Sequence, residues 1–187
     1  MSRIEPKSLD QLGALSTILQ KGAETMGFMS IDGLVMAHCP DMLKGAGALI
    51  NAVLGTGTID PGLKRMIGFI TSQAAGCHYC SAHTSFTAGK NGIDEEKMQA
   101  IWDYQTSELY TLKERAALDF AQKAGMVPNG CTDNDFEILK DHFTTTEVVE
   151  IIFTISMYAF LNKFNDTLKT DIETEPLAVY QKINQES

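Results

Sequence analysis

The stretch LKRMIGFITSQAAGCHYCSAHT, residues 63–84, joins an apolar helical pattern to two cysteines that are separated by two residues. The helical pattern weakens at residues 74–76, so we expect one helix to end there and a new helical turn to begin close to Cys77. The unpaired amide N–H groups and the dipole at a helix start stabilise a thiolate, and a CxxC pair placed there has a lowered thiol pKa. This stretch therefore predicts two consecutive helices with a nucleophilic sulfur at their junction.

Helix start signals recur on the C-terminal side of this stretch. Asp94 can cap a helix over EEKMQAIWDY, and three further helical patterns follow candidate capping boxes. These boxes are Thr111 with Glu114, Thr132 with Asp135, and Thr144 with Glu147. The last pattern runs to about Leu168, and its β-branched residues would also suit a strand. Because about 24 residues without Gly or Pro exceed the roughly 3 to 10 residues of a typical strand, we predict a helix.

The segments on the N-terminal side of this stretch also have helical patterns. Residues 8–20 and 41–54 have helical periodicity, and Asp60-Pro61 fits the start of a helix. The sequence contains no alternating strand pattern, low-complexity segment, domain linker or Gly-rich phosphate loop. A chain of 187 residues is long enough for one sizeable core. We therefore expect residues 1–187 to form a single-domain, all-α helical bundle.

The composition limits the partners and the location of the protein. With 15 Lys and Arg against 24 Asp and Glu, the formal charge of −9 repels nucleic-acid phosphates and anionic membrane surfaces. The N-terminal MSRIEPKSLDQLGAL lacks the basic and apolar run of a secretory signal. The longest apolar run, Val148 to Phe160, is too short to span a bilayer. We expect a cytoplasmic protein that binds neither nucleic acid nor membranes.

An internal correspondence relates two apolar helical patterns. The offsets of 12 and 15 residues that separate Arg65 from the two cysteines of the CxxC pair also separate Glu150 from Asn162 and Asn165. Both windows end in a polar pair at positions i and i+3. One hypothesis is that the chain consists of two helical halves that are related by a pseudo-twofold axis.

The CxxC pair and the histidine that follows it suit redox chemistry. Residues i, i+3 and i+6 of a helix lie on one side, so Cys77, Cys80 and His83 can converge, and His83 can accept a proton from Cys80. A thiolate beside a second thiol can reduce a peroxide through a sulfenic acid and close a disulfide, which an external dithiol then reopens. Two alternatives stay open. The thiols could have no chemistry, or they could belong to a structural zinc site for which His38-Cys39 would supply the missing ligands.

Three segments resemble one known family. LKRMIGFITSQAAGCHYCSAHT with the following KNGIDEEKMQAIW, then TLKERAALDFAQKAG, and finally VVEIIFTISMYAFLNKFNDTL are similar to the AhpD-like alkylhydroperoxidase and carboxymuconolactone decarboxylase family, over about residues 25 to 175. The resemblance implies an all-helical, homo-oligomeric peroxidase or thiol-disulfide oxidoreductase, and no bound cofactor is expected. It also implies that Cys80 attacks the peroxide, that Cys77 resolves the sulfenic acid, and that His83 belongs to the proton relay. The implied reductant is an external dithiol or a thioredoxin-like protein.

The sequence departs from the family pattern in two places. The family histidine lies four residues after the second cysteine, whereas His83 lies three after Cys80, and both spacings keep the imidazole on the same helical face. The family relay glutamate corresponds to Arg65, and arginine cannot accept a proton. Glu150 occupies the matching position in the second half. We therefore predict that Glu150 either joins the relay or forms an ion pair with Arg65.

Three kinds of function fit these residues. The first is a thiol peroxidase that reduces hydrogen peroxide or alkyl hydroperoxides through a Cys77–Cys80 disulfide, with an apolar lining that would favour organic hydroperoxides. The lining residues that we expect are Met66, Phe69, Ile70 and Phe86. The second is a lactone decarboxylase of the same wider family, a chemistry with no evident use for a CxxC pair. The third is non-enzymatic, either a redox sensor or a structural metal site.

Overall fold

The computed structural model describes residues 2–185. The described backbone is helical and contains no strand, so the predicted all-α class is confirmed. No helix in this range is both long and apolar enough to cross a membrane. The α-helices of this range are α1 (Ser16–Met26), α2 (Ile31–Met36), α3 (Pro40–Gly55), α4 (Pro61–Ala74), α5 (His78–Lys90), α6 (Glu95–Gln99), α7 (Leu112–Gly125), α8 (Asp133–His142), α9 (Thr145–Leu168) and α10 (Thr174–Gln185).

Reciprocal capping boxes begin α7, α8 and α9 at the three predicted positions. At the start of α9, Glu147 N–H donates to Thr144 Oγ1 at 3.3 Å, and Thr144 N–H donates to Glu147 Oε2 at 2.8 Å. These bonds satisfy two of the amide groups that a helix start leaves without an intrahelical partner. α9 then continues without a break to Leu168, where Lys169 ends it with a φ of 49°. The predicted long helix is therefore confirmed.

The carboxylates of two capping boxes predict a loss of stability in acid. Hydrogen bonds from Lys113 and Thr144 lower the pKa of Glu147 to about 2, and hydrogen bonds from Lys123 and Thr132 lower that of Asp135 to about 2. Because both pKa values are depressed by folding, this stabilisation is complete above about pH 5 and disappears as the pH falls towards about 2.

We expect Glu147→Gln to have a lower melting temperature than the wild type near pH 7, and the difference to disappear as the pH falls through about 2. Thermal unfolding followed by circular dichroism across this range measures the difference. Melting curves that stay equally far apart at every pH would contradict the assignment of this charge to the capping box.

Two clusters of buried apolar side chains form the core around α4, which packs against α5, α7 and α9. The first cluster includes Met66, Phe69 and Ile70 of α4 together with side chains of α7 and α9. The second, which we call the dithiol cluster, joins the N-terminal segment and α3 to α9 and contains Cys77 and Cys80. The two cysteines thus lie in a part of the core that α4 does not fill.

Gly68 allows α4 and α9 to approach each other closely. A Cβ atom at Gly68 would lie 2.2 Å from Cε2 of Tyr158, so only glycine fits beneath this ring. The Tyr158 hydroxyl accepts a hydrogen bond from Arg65 Nη1 at 3.3 Å. The close approach therefore holds the middle of α9 against the helix that leads into the CxxC pair.

The structure differs from the sequence prediction at both ends of the chain. The predicted helix over residues 8–20 is interrupted by Gly13, whose φ is +52°, and α1 begins only at Ser16. Neither α2 nor α10 was predicted. α10 packs along α5, where the Tyr180 hydroxyl lies 2.9 Å from His78 Nδ1. α10 thus places a hydroxyl group beside His78, the residue that follows Cys77.

The two windows of the proposed duplication differ in local structure. α4 ends at Ala74, and Cys77 caps a new helix, whereas Asn162 and Asn165 lie inside the unbroken α9. The sequence offsets are equal, but the chain breaks in only one of the two windows. The pseudo-twofold relation stays a hypothesis.

Candidate active site

The CxxC pair lies at the start of a helix, as predicted. Gly76 has a φ of +73° and turns the chain after α4, and Cys77 is the N-cap residue of α5. The Cys77 amide donates to the Ser72 carbonyl oxygen at 2.9 Å, which closes the turn. Cys77 and Cys80 are both free thiols, with only 2% and 4% of their surfaces exposed. The junction of two helices thus holds a buried dithiol.

The two thiols have opposite pKa shifts. A hydrogen bond from the Cys80 side chain lowers the pKa of Cys77 against the opposing effect of burial, and the amides of Cys80 and Tyr79 stabilise the thiolate further. Burial raises the pKa of Cys80 well above its ordinary value, and the hydrogen bond to Cys77 and its charge add to the shift. The geometry therefore favours a thiolate on Cys77 with a proton retained on Cys80.

Asn165 of α9 connects the second thiol to α2. Its Nδ2 group lies 3.6 Å from Cys80 Sγ and donates to Asp32 Oδ2 at 3.2 Å. Asn165 is 1% exposed, so these contacts are shielded from solvent. The sequence correspondence singled out Asn165, but no sequence signal indicated that it would contact Cys80.

His83 forms a partly buried pair with a carboxylate that the sequence did not indicate. His83 Nε2 lies 2.6 Å from Glu173 Oε2, just before α10. The other carboxylate oxygen accepts hydrogen bonds from the Ile31 amide at 2.6 Å and the Tyr79 hydroxyl at 3.0 Å. The Tyr79 ring lies against the imidazole, with 4.1 Å between the ring centroids. These contacts fix the position of the imidazole from two sides.

The charge of Glu173 is stabilised by these partners. Burial acts to raise its pKa, but the hydrogen bond and charge of His83, together with the Ile31 amide, outweigh burial and lower the pKa below the ordinary value. Within residues 2–185, no hydrogen bond joins the imidazole to either sulfur. A direct role of His83 as the proton acceptor of Cys80 therefore stays a prediction.

Glu150 lies away from the dithiol. Its carboxylate accepts hydrogen bonds from the Thr58 and Ile59 amides, at 2.9 and 3.1 Å, and lies 3.4 Å from Lys64 Nζ. The predicted ion pair with Arg65 is wrong, because Lys64 is the partner. Arg65 instead donates to the Tyr158 hydroxyl at 3.3 Å. Glu150 precedes Asn165, which contacts Cys80, by 15 residues, or about 22 Å of helix. A role for Glu150 in the relay stays a prediction.

The predicted apolar lining of the site stays a prediction, although most of its residues are grouped apart from the cysteines. Met66, Phe69 and Ile70 belong to the first core cluster, whereas the cysteines lie in the dithiol cluster. Phe86 packs edge to face against Phe28, with ring centroids 5.5 Å apart, and the Phe28 ring lies 4.9 Å from the His83 imidazole. The apolar side chains grouped with the cysteines come from other elements, and they include Leu12, Leu15, Leu43, Met157 and Leu161.

The zinc alternative has no complete ligand set in the described part of the chain. Residues 2–185 contain no group of three or more His, Cys, Asp or Glu side chains that is arranged to hold a metal ion. His38 Nε2 lies 2.9 Å from the Glu5 carbonyl oxygen, and Cys39 is an exposed thiol at the start of α3.

The chain belongs to the carboxymuconolactone decarboxylase family, as the resemblance predicted. The model of that family matches residues 40–123. The apo debrominase Bmp8 is 30% identical, with a TM-score of 0.90, and the match covers 95% of this chain and 96% of Bmp8. A cysteine-to-alanine variant of Bmp8 in complex with 2,3,4-tribromopyrrole is 29% identical, with a TM-score of 0.91 and 96% of each chain covered.

Two more distant relatives extend the comparison. An AhpD-core, peroxidase-related protein from Ralstonia eutropha JMP134 is 24% identical over 96% of both chains, with a TM-score of 0.82, and it shares the fold. The uncharacterized protein YnjA of Escherichia coli K12 is 24% identical over 110 residues, 59% of this chain. The matched part is about 60% of the length of YnjA.

Proposed function

We propose that the protein is a dithiol-dependent peroxidase that reduces hydrogen peroxide or alkyl hydroperoxides by closing a Cys77–Cys80 disulfide. The observation that supports this most directly is the buried pair of free thiols at the start of α5, where a hydrogen bond from Cys80 and helix-start amides stabilise the Cys77 thiolate. One sulfur is thereby prepared as a nucleophile and the other as a proton donor. A redox dithiol needs both groups within reach of each other.

The reaction follows from this arrangement in two steps. The Cys77 thiolate attacks the terminal oxygen of the hydroperoxide, the O–O bond breaks, and the leaving alkoxide takes the proton of Cys80. The Cys80 thiolate then attacks the sulfenic acid on Cys77, forms the disulfide and releases hydroxide, which takes up a proton to become water. In total, one hydroperoxide and two thiols give one alcohol, one water and one disulfide.

This order of the two cysteines is the reverse of the order that the family resemblance implies. The resemblance makes Cys80 the attacking sulfur, whereas the charges of the reduced site favour Cys77. Because Cys80 donates a hydrogen bond to Cys77, the shared proton can pass from one sulfur to the other. We place His83 and Glu173 in the relay that returns protons to this pair, since the His83 side chain keeps 14% exposure to solvent.

Reductive dehalogenation of a halogenated aromatic compound is the second candidate. The observation that favours it is the similarity to Bmp8, which is named a debrominase and is 30% identical over nearly the whole chain. Replacing a bromine substituent by hydrogen with two thiols gives the reduced ring, one disulfide and hydrogen bromide, so it uses the same two electrons. Lactone decarboxylation, by contrast, has no redox step in which the dithiol would take part.

The experiment that tests the proposal measures the oxidation state of each cysteine over time. Fully reduced protein is mixed anaerobically with one equivalent of hydrogen peroxide, cumene hydroperoxide or 2,3,4-tribromopyrrole, and is quenched with an alkylating agent at a series of times. Peptide mass spectrometry then measures the Cys77–Cys80 disulfide, with the exposed thiol of Cys39 as an internal control.

We expect hydroperoxide to close the disulfide about 10 times or more faster than it oxidises Cys39, because the Cys77 pKa is lowered and a second thiol lies beside it. Oxidation no faster than that of Cys39 would contradict the peroxidase proposal. Closure by tribromopyrrole alone would favour dehalogenation instead. Closure without multiple turnovers in the presence of a dithiol reductant would favour a redox sensor.

The proposed reaction also needs an external reductant. An external dithiol or thioredoxin-like protein would reopen the disulfide, and a reducing compartment such as the cytoplasm would keep the pair reduced.

We also propose that the chain forms a homo-oligomer through α9. Val149, Phe153 and Phe160 lie along this helix with exposures of 47%, 56% and 44%, and a second copy of the chain would bury them.

A further inference from the structure

Asn162 of α9 is a buried amide that forms no hydrogen bond within the described part of the chain. Only 2% of its surface is exposed, and neither Nδ2 nor Oδ1 has a hydrogen-bond partner among residues 2–185. A buried amide that forms no hydrogen bond destabilises a fold, and buried polar groups in native proteins are nearly always paired. The amide therefore requires an explanation outside the contacts of the folded chain.

Asn162 lies one helical turn before Asn165, the residue of α9 that contacts Cys80. Tyr158, Asn162 and Asn165 are spaced four and three residues apart on α9, so they share one face of the helix. On one side of Asn162, Asn165 Nδ2 lies 3.6 Å from Cys80 Sγ. On the other side, Tyr158 packs in the dithiol cluster. The unpaired amide thus lies on the face of α9 that meets the reactive sulfurs.

Asn165 also has one amide atom without a hydrogen-bond partner among the described residues. Its Nδ2 group is bound to Asp32 and Cys80, but its Oδ1 atom has no hydrogen-bond partner among the described residues. Two neighbouring side chains on the same helical face therefore have amide atoms without a hydrogen-bond partner among the described residues, and one of the two side chains contacts Cys80. Arg65, which donates to the Tyr158 hydroxyl, adds a positive charge at the far end of this face.

We propose that Asn162 binds the hydroperoxide group of the substrate, and this inference rests on the proposed peroxidase function. An amide offers a donor and an acceptor side by side, which matches a group that itself donates and accepts. Oδ1 accepts the terminal O–H of the hydroperoxide, and Nδ2 donates to the oxygen that leaves as alkoxide. That second bond strengthens as negative charge develops on the leaving oxygen, so it lowers the barrier of the attack.

The test replaces Asn162 by leucine, which has a similar shape and no polar atoms. We expect Asn162→Leu to raise the KM for cumene hydroperoxide about tenfold and to lower kcat/KM about 100-fold, because one donor to a developing oxyanion is lost. The melting temperature should stay unchanged or rise, because an unpaired buried amide is removed. The rate of Cys77 alkylation by iodoacetamide should stay that of the wild type, since the thiolate is not altered.

Thr154→Val is the matched control. Thr154 is also buried in α9, but its hydroxyl is satisfied by the Glu150 carbonyl oxygen at 2.8 Å. We expect this variant to keep the wild-type KM. Asn162→Ala serves as a second variant and should show the same kinetic defect, so that the result does not depend on how leucine packs.

Three outcomes would overturn the inference. Wild-type kinetics in both Asn162 variants of an active enzyme would overturn the inference alone. A marked fall in melting temperature in Asn162→Leu, with altered alkylation of Cys77, would show that the amide supports the fold rather than the substrate. Inertness of the wild-type protein towards hydrogen peroxide and cumene hydroperoxide would overturn the proposed function, and the inference would fail with it.

Discussion

Replacing either cysteine of the pair by serine should lower hydroperoxide turnover about a thousandfold or more, yet the two variants should react differently in a single turnover. Cys80→Ser retains the Cys77 sulfur and its helix-start amides, so it should consume one peroxide per chain and stop as a sulfenic acid. Cys77→Ser retains only a thiol whose pKa is raised by burial, so it should consume almost none. The measurement is peroxide consumed per chain, together with trapping of the sulfenic acid by dimedone.

The two variants thereby separate the two possible orders of attack. A dimedone adduct on Cys80 in Cys77→Ser, with none on Cys77 in Cys80→Ser, would reverse the roles that we propose and support the order implied by the family resemblance. Cys39→Ser is the control, because this exposed thiol lies at the start of α3, outside the dithiol cluster. It should turn over as the wild type does.

The features that could be predicted from the sequence are those with local causes. The break between α4 and α5 follows from residues 74–76, and the start of α9 follows from Thr144 and Glu147, which are three residues apart. Each of these signals and its structural consequence lie within one or two helical turns. The dithiol at a helix start was predictable for the same reason.

The features that could not be predicted depend on tertiary contacts. Glu173 meets His83 across 90 residues of sequence, and Asp32 meets Asn165 across 133. Both acids lie at the edge of helices with weak sequence signals, since α2 has only six residues and α10 follows a short polar segment. No local pattern relates such residues to the cysteines, and only the packing of the folded chain brings them together.

The wrong prediction of an ion pair between Glu150 and Arg65 has a related origin. The equal offsets from Arg65 and Glu150 compare positions along two helices, but they do not determine which face of α9 meets the dithiol. Asn165, near the other end of α9, makes the contact with Cys80. Glu150 instead accepts hydrogen bonds from the Thr58 and Ile59 amides in the loop before α4. Where the family pattern has a glutamate and this chain has Arg65, the carboxylate nearest to His83 comes from the segment before α10.

Glu173→Gln should therefore have the second largest effect on activity. The substitution removes a buried negative charge that accepts hydrogen bonds from the Ile31 amide and the Tyr79 hydroxyl and pairs with His83. We expect kcat to fall about 10- to 100-fold, as is typical when the partner of a functional histidine is lost. Stability should fall by about 2 kcal/mol near pH 7, because hydrogen bonds to a charged acceptor are lost.

The pH dependence of the unfolding free energy tests whether Glu173 stabilises the fold through its negative charge rather than through the packing of its side chain. Because folding lowers the pKa of this carboxyl, its stabilising effect is present above the ordinary Glu pKa of about 4.3 and is lost as the pH falls through the lowered pKa of the folded state. The unfolding free energies of Glu173→Gln and the wild type should therefore converge in acid, and the His83 ring resonances should differ between them at neutral pH. Glu175→Gln, an exposed change two residues away, should alter neither quantity.

A variant that loses stability but keeps the wild-type kcat and its pH profile would restrict Glu173 to holding the start of α10 near α2 and α5. In that case His83 would have no demonstrated role in proton transfer. A fall in kcat that persists at temperatures where Glu173→Gln is fully folded would instead mean that the carboxylate acts through the imidazole. Since Arg65 cannot take a proton, Glu173 is then the acid that couples the dithiol to solvent through His83.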